Sequence, residues 1–128
     1  MNENKAIKSF TDLNSWKEGH KLVLLIYDII KTFPQEEKFG LSSQISRAVV
    51  SITSNIAEGF SRYSYKEKLR FYFISLGSLT EVQNQILIAK DLNYIDKNSF
   101  DKIANQTVVV SKLLNGLIKS TKNIIHNS

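Results

Sequence analysis

Apolar side chains along this chain recur every three or four residues in four long segments. In the second segment Ile45, Val49, Ile52 and Ile56 form one such stripe, and no stretch sustains the two-residue alternation of a strand. The pattern predicts four helices, over residues 15–33, 41–58, 65–92 and 97–125. Because their lengths match and their connections are short, we expect an all-α fold, an antiparallel up-down-up-down four-helix bundle. Residues 15–125 would form this single domain, after a flexible N-terminal arm over residues 1–14.

Residues with helix-capping chemistry stand where the apolar stripes begin. Ser15 and Ser64 are each followed three residues later by a glutamate, Glu18 and Glu67. In such a capping box the serine hydroxyl accepts from the third backbone N–H, and the carboxylate accepts from the serine N–H. We therefore expect Ser15 and Ser64 to open the first and third helices, and Asp96 to cap the fourth.

Proline, glycine and asparagine indicate where the helices end. Pro34 ends the first helix, because the residue before a proline avoids the α region. Gly59 and Asn93 follow the second and third stripes, and both residue types favour the left-handed conformation that closes a helix. Gly77 and Ser78 place two small residues inside the third helix, which favours close approach of another helix.

The first helix is apolar over more than half of its circumference. Two adjacent stripes share this surface: Trp16, His20, Val23, Tyr27 and Ile30 form one, and Leu22, Ile26, Ile29 and Phe33 form the other. An outer helix of a monomeric bundle needs a narrower stripe. The surplus predicts a second buried surface at a subunit interface. The alternative is a helix buried unusually deeply in one monomer.

The third and fourth helices have narrower predicted core faces. The third presents Leu69, Phe73, Leu76, Leu79, Ile86 and Leu87, and the fourth presents Ile103, Val110, Leu114, Leu117 and Ile124. Lysines occupy the opposite side of the fourth helix, and no acidic residue follows Lys102.

Composition narrows the class of protein. The 128 residues are 42% hydrophobic and include no cysteine, so disulfides are excluded and a cytoplasmic protein is expected. The N-terminus lacks the apolar run of a signal peptide, and the longest apolar run, Leu22 to Tyr27, is far too short to span a bilayer. The formal net charge of +5 fits an anionic partner, or serves solubility alone.

Basic and aromatic residues are densest around the start of the third helix. Arg62, Lys66, Lys68 and Arg70 surround Glu67, and Phe60, Tyr63, Tyr65, Phe71, Tyr72 and Phe73 interleave with them. Basic side chains neutralise phosphates, and aromatic rings stack on unpaired bases. The candidate nucleic-acid-binding residues are therefore Arg62, Lys66, Lys68, Arg70, Lys112, Lys119 and Lys122. Alternatively the aromatic residues, Phe73 above all, belong to the core and the cations are solvated.

Four polar residues near the second and third stripes indicate a structural contact. Arg47, Asn55, Glu58 and Glu81 lie off the core positions. An arginine with carboxylates and an amide makes a bidentate hydrogen-bonded network. We expect this network to fix the second helix against the third, or against a neighbouring subunit.

Catalytic motifs are absent from the sequence. No glutamate has a histidine three residues later, as di-iron bundles require, and the His-Glu-x-x-His, P-loop and Gly-x-Ser-x-Gly patterns are missing. We expect a non-enzymatic protein with no catalytic residue, metal or cofactor. His20 is expected to pack in the core or an interface. Glu58 together with Glu81 would be the carboxylate pair of an enzyme, the less favoured alternative.

The second helix carries a motif that resembles a known family. It reads Ser51-Ile52, then Ser54-Asn55-Ile56-Ala57-Glu58-Gly59, with Arg62, Ser64, Glu67 and Leu76-Gly77-Ser78 following at fixed spacing. Trp16-Lys17 and Phe33-Pro34 also match the pattern of that family. The chain resembles, over roughly residues 15–122, the four-helix-bundle proteins encoded in intervening sequences of bacterial 23S ribosomal RNA genes. Two residues depart from the pattern, Thr53 where the family often has proline and Asn93 where it often has glycine.

The resemblance implies an assembly and a class of partner. It implies a bacterial bundle protein that forms a ring-like homo-oligomer, typically a pentamer. It also implies kinship with the basic accessory proteins of diversity-generating retroelements, which bind nucleic acid and a reverse transcriptase. The ribosomal link reflects gene location and does not establish ribosome binding.

Together these observations predict binding to RNA or DNA through a basic surface. A structural or protein-interaction scaffold without nucleic-acid binding is the main alternative. Membrane-surface binding through the basic fourth helix ranks last, because the apolar face of that helix is needed to complete the bundle.

Overall fold

The computed structural model describes residues 6–127 and consists of four long helices. They are α1 (Asn14–Ile29), α2 (Leu41–Ser61), α3 (Tyr65–Asp91) and α4 (Lys97–His126). Short 3-10 helices lie at Phe10–Asp12, Ile30–Thr32 and Gln35–Glu37. Over the described range there is no β-strand, so the predicted all-α fold is confirmed.

Contacts between the helices run in opposite residue order, which gives the topology of the bundle. Between α2 and α3, Ser51 pairs with Ser78, whereas Gly59, further along α2, approaches Tyr72, further back in α3. The pairs Gln83 with Thr107 and Phe73 with Lys122 show the same for α3 and α4. Each helix packs on the next, and α4 returns to α1. Gln106 of α4 bonds to Glu18 near the start of α1, whereas Tyr94, before α4, accepts from Thr32, after α1, so α1 runs opposite to α4. The helices therefore run up, down, up and down.

The core lies along the axis between the four helices and is aliphatic. Leu22 and Ile26 come from α1, and Val82 from α3. The most enclosed residues of the other two helices are Ile45, Val49, Ile52 and Ile56 of α2, with Val110 and Leu114 of α4. Burying each of these side chains stabilises the fold by about 1.5–3 kcal/mol.

Three of the expected helix ends are present. The Ser64 hydroxyl accepts from the Glu67 backbone N–H at 3.1 Å, although the Glu67 carboxylate takes the Ser64 hydroxyl and not its N–H. The Asp96 carboxylate accepts from the Ser99 N–H at 2.8 Å and caps α4. Asn93 follows α3 with a φ of 62°, the left-handed conformation that asparagine tolerates better than most residues.

The predicted capping box at Ser15 is wrong. α1 begins one residue earlier, at Asn14, with Leu13 before it. Ser15 is already inside the first turn, where its hydroxyl is buried and has no hydrogen-bond partner among the described residues. A reciprocal capping box forms upstream instead, where Ser9 and Asp12 cap the N-terminal end of the 3-10 helix.

Part of the stretch expected to be a flexible arm is folded onto the bundle. The 3-10 helix over Phe10–Asp12 packs against α1 and α2. The Phe10 ring meets the Trp16 ring edge-on, with centroids 5.4 Å apart. This aromatic contact and the Ser9 cap hold the segment, which the sequence pattern alone did not indicate. Residues 1–5 of the expected arm lie outside the described range.

Gly59 does not end α2 as predicted. The helix continues to Ser61, and among the described residues no glycine has positive φ. A Cβ on Gly59 would lie 2.7 Å from Cε1 of Tyr72. Glycine is therefore present because α3 approaches closely, and not because the chain turns there.

The buried side of two helices also differs from the prediction. In α1 the Leu22 stripe faces the core, and Tyr27 and His20 are exposed. In α3, Phe73, which was assigned to the core, is 44% exposed, whereas Tyr72, which was left open between core and surface, is 2% exposed. Leu87 and Ile124, also predicted for the core, are exposed as well.

Serines explain why the face of α3 was misassigned. Ser75 and Ser78 are buried at core-facing positions, where polar residues were not expected. The Ser75 hydroxyl donates to the Ile52 carbonyl at 2.7 Å, and the Ser78 hydroxyl pairs with that of Ser51 at 2.8 Å. Satisfied hydroxyls let two helices approach without leaving an unpaired polar group. Gly77 itself faces open space.

Candidate nucleic-acid interface

The corner between α2 and α3 is short and fixed by hydrogen bonds at both sides. The Arg62 N–H donates to the Gly59 carbonyl at 3.1 Å as α2 ends, and Ser64 caps α3 two residues later. Tyr63 lies between these two anchors, and its side chain is 99% exposed. The corner therefore holds its backbone in place while presenting one aromatic ring to solvent.

Lys68 has a structural partner at this corner. Its Nζ donates to the carbonyl of Phe60 at 2.6 Å, one of the last carbonyls of α2. A cation there satisfies a free carbonyl and interacts favourably with the negative end of the helix dipole. Partial burial lowers the pKa of the Lys68 ammonium. Lys68, one of the predicted phosphate ligands, therefore has a structural role, because its side chain caps the C-terminal end of α2.

Arg62, also a predicted phosphate ligand, has contacts within the chain as well. Its guanidinium stacks over the Phe71 ring at 4.5 Å, and its Nη2 lies 3.4 Å from Oε2 of Glu58. Both side chains of this ion pair are about half exposed, so the pair itself adds little stability. The stacking holds the guanidinium over Phe71, and the Arg62 side chain stays 42% exposed.

Lys66 and Arg70 are the free cations of α3. They are separated by one helical turn and therefore point the same way. Both are exposed, and neither side chain makes a hydrogen bond or ion pair within residues 6–127. Phe73 follows Arg70 after three residues and continues this outward stripe.

A contact between α3 and α4 joins two groups of cations that are far apart in sequence. The Lys122 Nζ lies over the Phe73 ring, 5.1 Å from its centroid. Lys119 precedes Lys122 by three residues and is exposed on the same side of α4. We name Lys66, Arg70, Lys119 and Lys122, with Phe73, the basic face. Lys112 extends it two turns further along α4.

Positive charge is concentrated at this end of the bundle because acidic partners are scarce there. No acidic residue follows Asp101, and the two carboxylates near the corner bind other groups: Glu58 pairs with Arg62, and Glu67 accepts from the Ser64 hydroxyl. At the opposite end, three lysines have carboxylates beside them. The pairs are Lys31 with Asp28, Lys90 with Asp91, and Lys97 with Asp101. The basic face therefore lacks the neighbouring carboxylates that these three lysines have, which favours an anionic ligand there.

The four residues of the predicted polar network do not come together within one chain. Asn55 donates to the backbone oxygen of Ser51 at 2.8 Å, Glu58 pairs with Arg62, and Glu81 accepts from Gln85 at 3.4 Å. Arg47 is exposed on the outer side of α2. There it lines an open groove of about 330 Å³ together with Tyr27, Ser46, Val50, Ser51 and Ser54. The hydrogen bonds that join α2 to α3 are made by other residues, which the motif analysis missed: Ser51 with Ser78, Ser75 with the Ile52 carbonyl, and Lys68 with the Phe60 carbonyl.

Other site chemistry is sparse in the described part of the chain. His20 is exposed and stacks on Trp16 with centroids 4.8 Å apart, so its predicted burial is wrong for the single chain. Within residues 6–127 no three histidine, cysteine or acidic side chains are grouped so that they could hold a metal ion. None of the described helices combines the length and apolar character needed to cross a membrane.

Sequence analysis named the cations of the basic face as candidates but did not predict their arrangement. The main feature that sequence analysis missed is that Tyr63 is exposed whereas Tyr72 is buried. It could have been inferred from position, because Tyr63 precedes the Ser64 cap and lies outside the helical stripe. The contact of Lys122 with Phe73 depends on the register of α3 and α4, which no local pattern encodes.

Comparisons relate the chain to known proteins. A family model described as 23S rRNA-intervening sequence protein matches residues 11–116. The chain also resembles a crystal structure of a protein of unknown function from the S23 ribosomal protein family of Bacteroides thetaiotaomicron. The two are 25% identical with a TM-score of 0.76, and the match covers 82% of this chain and 95% of that one. No curated protein matches.

Proposed function

The chain belongs to the family of 23S rRNA-intervening sequence proteins, and from that premise we propose that it binds RNA or DNA through its basic face. In this proposal it is a non-enzymatic protein of the bacterial cytoplasm that works as a ring-like homo-oligomer, without a metal or cofactor. The family description names a ribosomal RNA gene and does not name a ligand, so the argument rests on the surface itself.

The observation that carries the proposal is a set of cations without acidic partners on one face. Lys66, Arg70 and Lys119 make no ion pair in the described chain, and Lys122 contacts only an aromatic ring. Like charges one helical turn apart repel each other, as in the pairs Lys66–Arg70 and Lys119–Lys122, and bound phosphates relieve this repulsion. Each phosphate that is neutralised also releases condensed counterions, which drives binding at low salt.

Apolar side chains on the outer sides of the helices support assembly into an oligomer. Leu24 and Tyr27 of α1 are exposed, and so are Ile74 and Ile88 of α3. A single chain leaves these residues in water, whereas contact with a second copy would bury them. Tyr27 belongs to the apolar surplus from which an interface was predicted, whereas Leu24 was not part of that prediction.

The same exposed apolar residues favour the second candidate, a protein-interaction scaffold. Phe39 at the opposite end is 89% exposed, and contact with another protein would remove this ring from water. On this alternative the basic face maintains solubility and the ligand is another protein. The two candidates differ in their dependence on salt and phosphate.

A salt series with purified protein distinguishes these candidates. We expect the protein to bind a structured RNA and a DNA duplex, with the logarithm of the association constant falling linearly as the logarithm of salt concentration rises. The slope counts the phosphates that are neutralised. Absence of binding to either nucleic acid at low salt would contradict the proposal and leave the scaffold candidate.

A further inference from the structure

Tyr63 is the most exposed large side chain of the described residues that stands beside cations. It is 99% exposed, whereas neighbouring Phe60 and Phe71 are partly buried. Exposing a whole aromatic ring removes no apolar surface from water and contributes nothing to the bundle. Its placement therefore has no explanation in the packing of α2 and α3.

The backbone beneath Tyr63 is fixed, which distinguishes it from a ring on a long loop. Arg62 on one side is anchored by its bond to Gly59 and by stacking on Phe71. On the other side Ser64 caps α3. The hydrogen bond from the Lys68 Nζ to the Phe60 carbonyl ties α3 to the end of α2. Because the support is already ordered, a ligand that stacks on Tyr63 loses little additional entropy in the protein.

Cations lie on both sides of the ring in sequence. Arg62 precedes Tyr63 directly, and Lys66 follows it within the first turn of α3. Proteins that bind single strands combine such cations, which follow the phosphates, with aromatic rings on which the bases stack. A ring on the surface of a convex corner does not reach bases that remain stacked inside a duplex.

We propose that Tyr63 stacks on an unpaired base, so that the preferred partner of the basic face is a single-stranded segment of nucleic acid. Arg62 and Lys66 hold the phosphates on either side of that nucleotide. This inference rests on the proposed nucleic-acid binding and adds the class of strand that is bound and the residue that selects it.

Binding of two matched oligonucleotides tests the inference. One is single-stranded, and the other is the same sequence paired into a blunt duplex. We expect the wild-type protein to bind the single strand more tightly than the duplex. Tyr63→Ala should weaken single-strand binding about fivefold to a hundredfold and leave duplex binding unchanged. Tyr63→Phe should retain single-strand binding, because the stacking ring remains.

The salt dependence separates stacking from charge. Tyr63→Ala should lower affinity without changing the salt slope, whereas Lys66→Ala should lower the slope by about 0.7, the value for one phosphate of a single strand. Phe39→Ala is the matched control, since it removes an exposed aromatic ring that lies beside Lys38 at the opposite end of the bundle. It should leave binding unchanged.

The outcomes separate this inference from the proposed function. If the wild type binds the duplex as tightly as the single strand, or if Tyr63→Ala binds the single strand like the wild type, the stacking inference is overturned and nucleic-acid binding stands. If the wild type binds neither oligonucleotide at low salt, both are overturned. Because Tyr63 is fully exposed, its substitution should not disturb folding, and an unchanged thermal midpoint verifies this.

Discussion

Single residues set how closely the helices of this bundle approach each other. Two glycines show this, since one lies where another helix packs closely and the other faces open space. Gly59 is buried in α2, and an added Cβ would lie 2.7 Å from the Tyr72 ring and 3.0 Å from Cβ of Phe71. The Tyr72 ring is buried, so it has little room to move aside. Gly77 of α3 is exposed, and a Cβ there meets nothing within 4 Å.

Alanine at the two positions should act in opposite directions. We expect Gly59→Ala to destabilise the protein by about 1–3 kcal/mol, because it overpacks the contact with Tyr72. Gly77→Ala should stabilise it by about 0.5–1 kcal/mol, because alanine restricts the unfolded chain and favours the helix. Urea denaturation at one low protein concentration measures both. A neutral Gly59→Ala would show that the close approach is not required.

A second residue-scale feature ties the α1–α2 connection to the α3–α4 connection. Oε1 of Glu37 accepts from the Leu41 backbone N–H at 3.0 Å, and Oε2 accepts from the Tyr94 hydroxyl at 2.8 Å. The Leu41 bond first, and the Tyr94 bond second, lower the pKa of the Glu37 carboxyl below its ordinary 4.5. The same hydrogen bond raises the pKa of Tyr94 above its ordinary 10.0.

These shifts predict how stability depends on pH. A lowered carboxyl pKa contributes stability that is full above pH 4.5 and is lost as the pH falls toward the folded-state pKa. The raised Tyr94 pKa contributes stability below pH 10.0 that is lost above it. Tyr94→Phe should therefore be most destabilising between these limits and less so at either extreme. Urea unfolding at several pH values tests this, and a difference that is constant with pH would refute it.

Residue-scale prediction from sequence succeeded where a side chain acts on its own backbone. Ser64, Asn93 and Asp96 all lie at the helix ends where they were expected. It failed at Gly59, because a glycine that allows close packing has the same local sequence as one that ends a helix. The neighbour that decides between them, Tyr72, is thirteen residues away in the next helix.

At the scale of elements, the four helices could be read from the pattern but the orientation of α3 could not. Its core side carries Ser75, Ser78 and Gln85, and its outer side carries Phe73 and Ile74. Because polar residues occur on the core side and apolar residues on the outer side, a helical wheel identifies no clear stripe. The buried serines are explained only by their partners on α2.

Lys68 links two elements, since it lies on α3 and closes α2. We expect Lys68→Met to lower the free energy of unfolding by about 1 kcal/mol, because the Phe60 carbonyl loses its donor while the aliphatic contacts remain. Nucleic-acid binding and its salt slope should be unchanged. Lys66→Met is the matched control, with unchanged stability and a smaller salt slope. A lower slope for Lys68→Met would contradict the structural role of this lysine.

At the scale of the whole molecule, the chain combines an apolar outer surface with charge concentrated at one end. If the outer side of α1 forms the subunit contact, Leu24→Glu should convert the oligomer to smaller species without unfolding it. Arg47→Ala, on the outer side of α2, should weaken assembly more than it weakens ligand binding. Sedimentation velocity measures both, with Lys31→Glu as a surface control. Unchanged sedimentation of both variants would place the contact elsewhere.

The sequence showed the two groups of cations that form the basic face, but not that they lie on one face of the molecule. The acid-free stretch after Asp101 and the cations around Glu67 were visible as two separate groups. Their meeting depends on the antiparallel register that brings Lys122 to Phe73. That register is a property of the packed bundle, because it follows from how the cores of α3 and α4 interlock.

The most direct test of the central claim compares two double variants that change the net charge equally at opposite ends. Lys66→Glu with Lys119→Glu alters the basic face, and Lys31→Glu with Lys97→Glu alters the end where lysines are paired with carboxylates. Binding of both variants to the same RNA at low salt is measured beside the wild type. Our account predicts that the first variant loses binding and the second retains nearly all of it. Equal losses would contradict a localised site, as would full retention by the first variant.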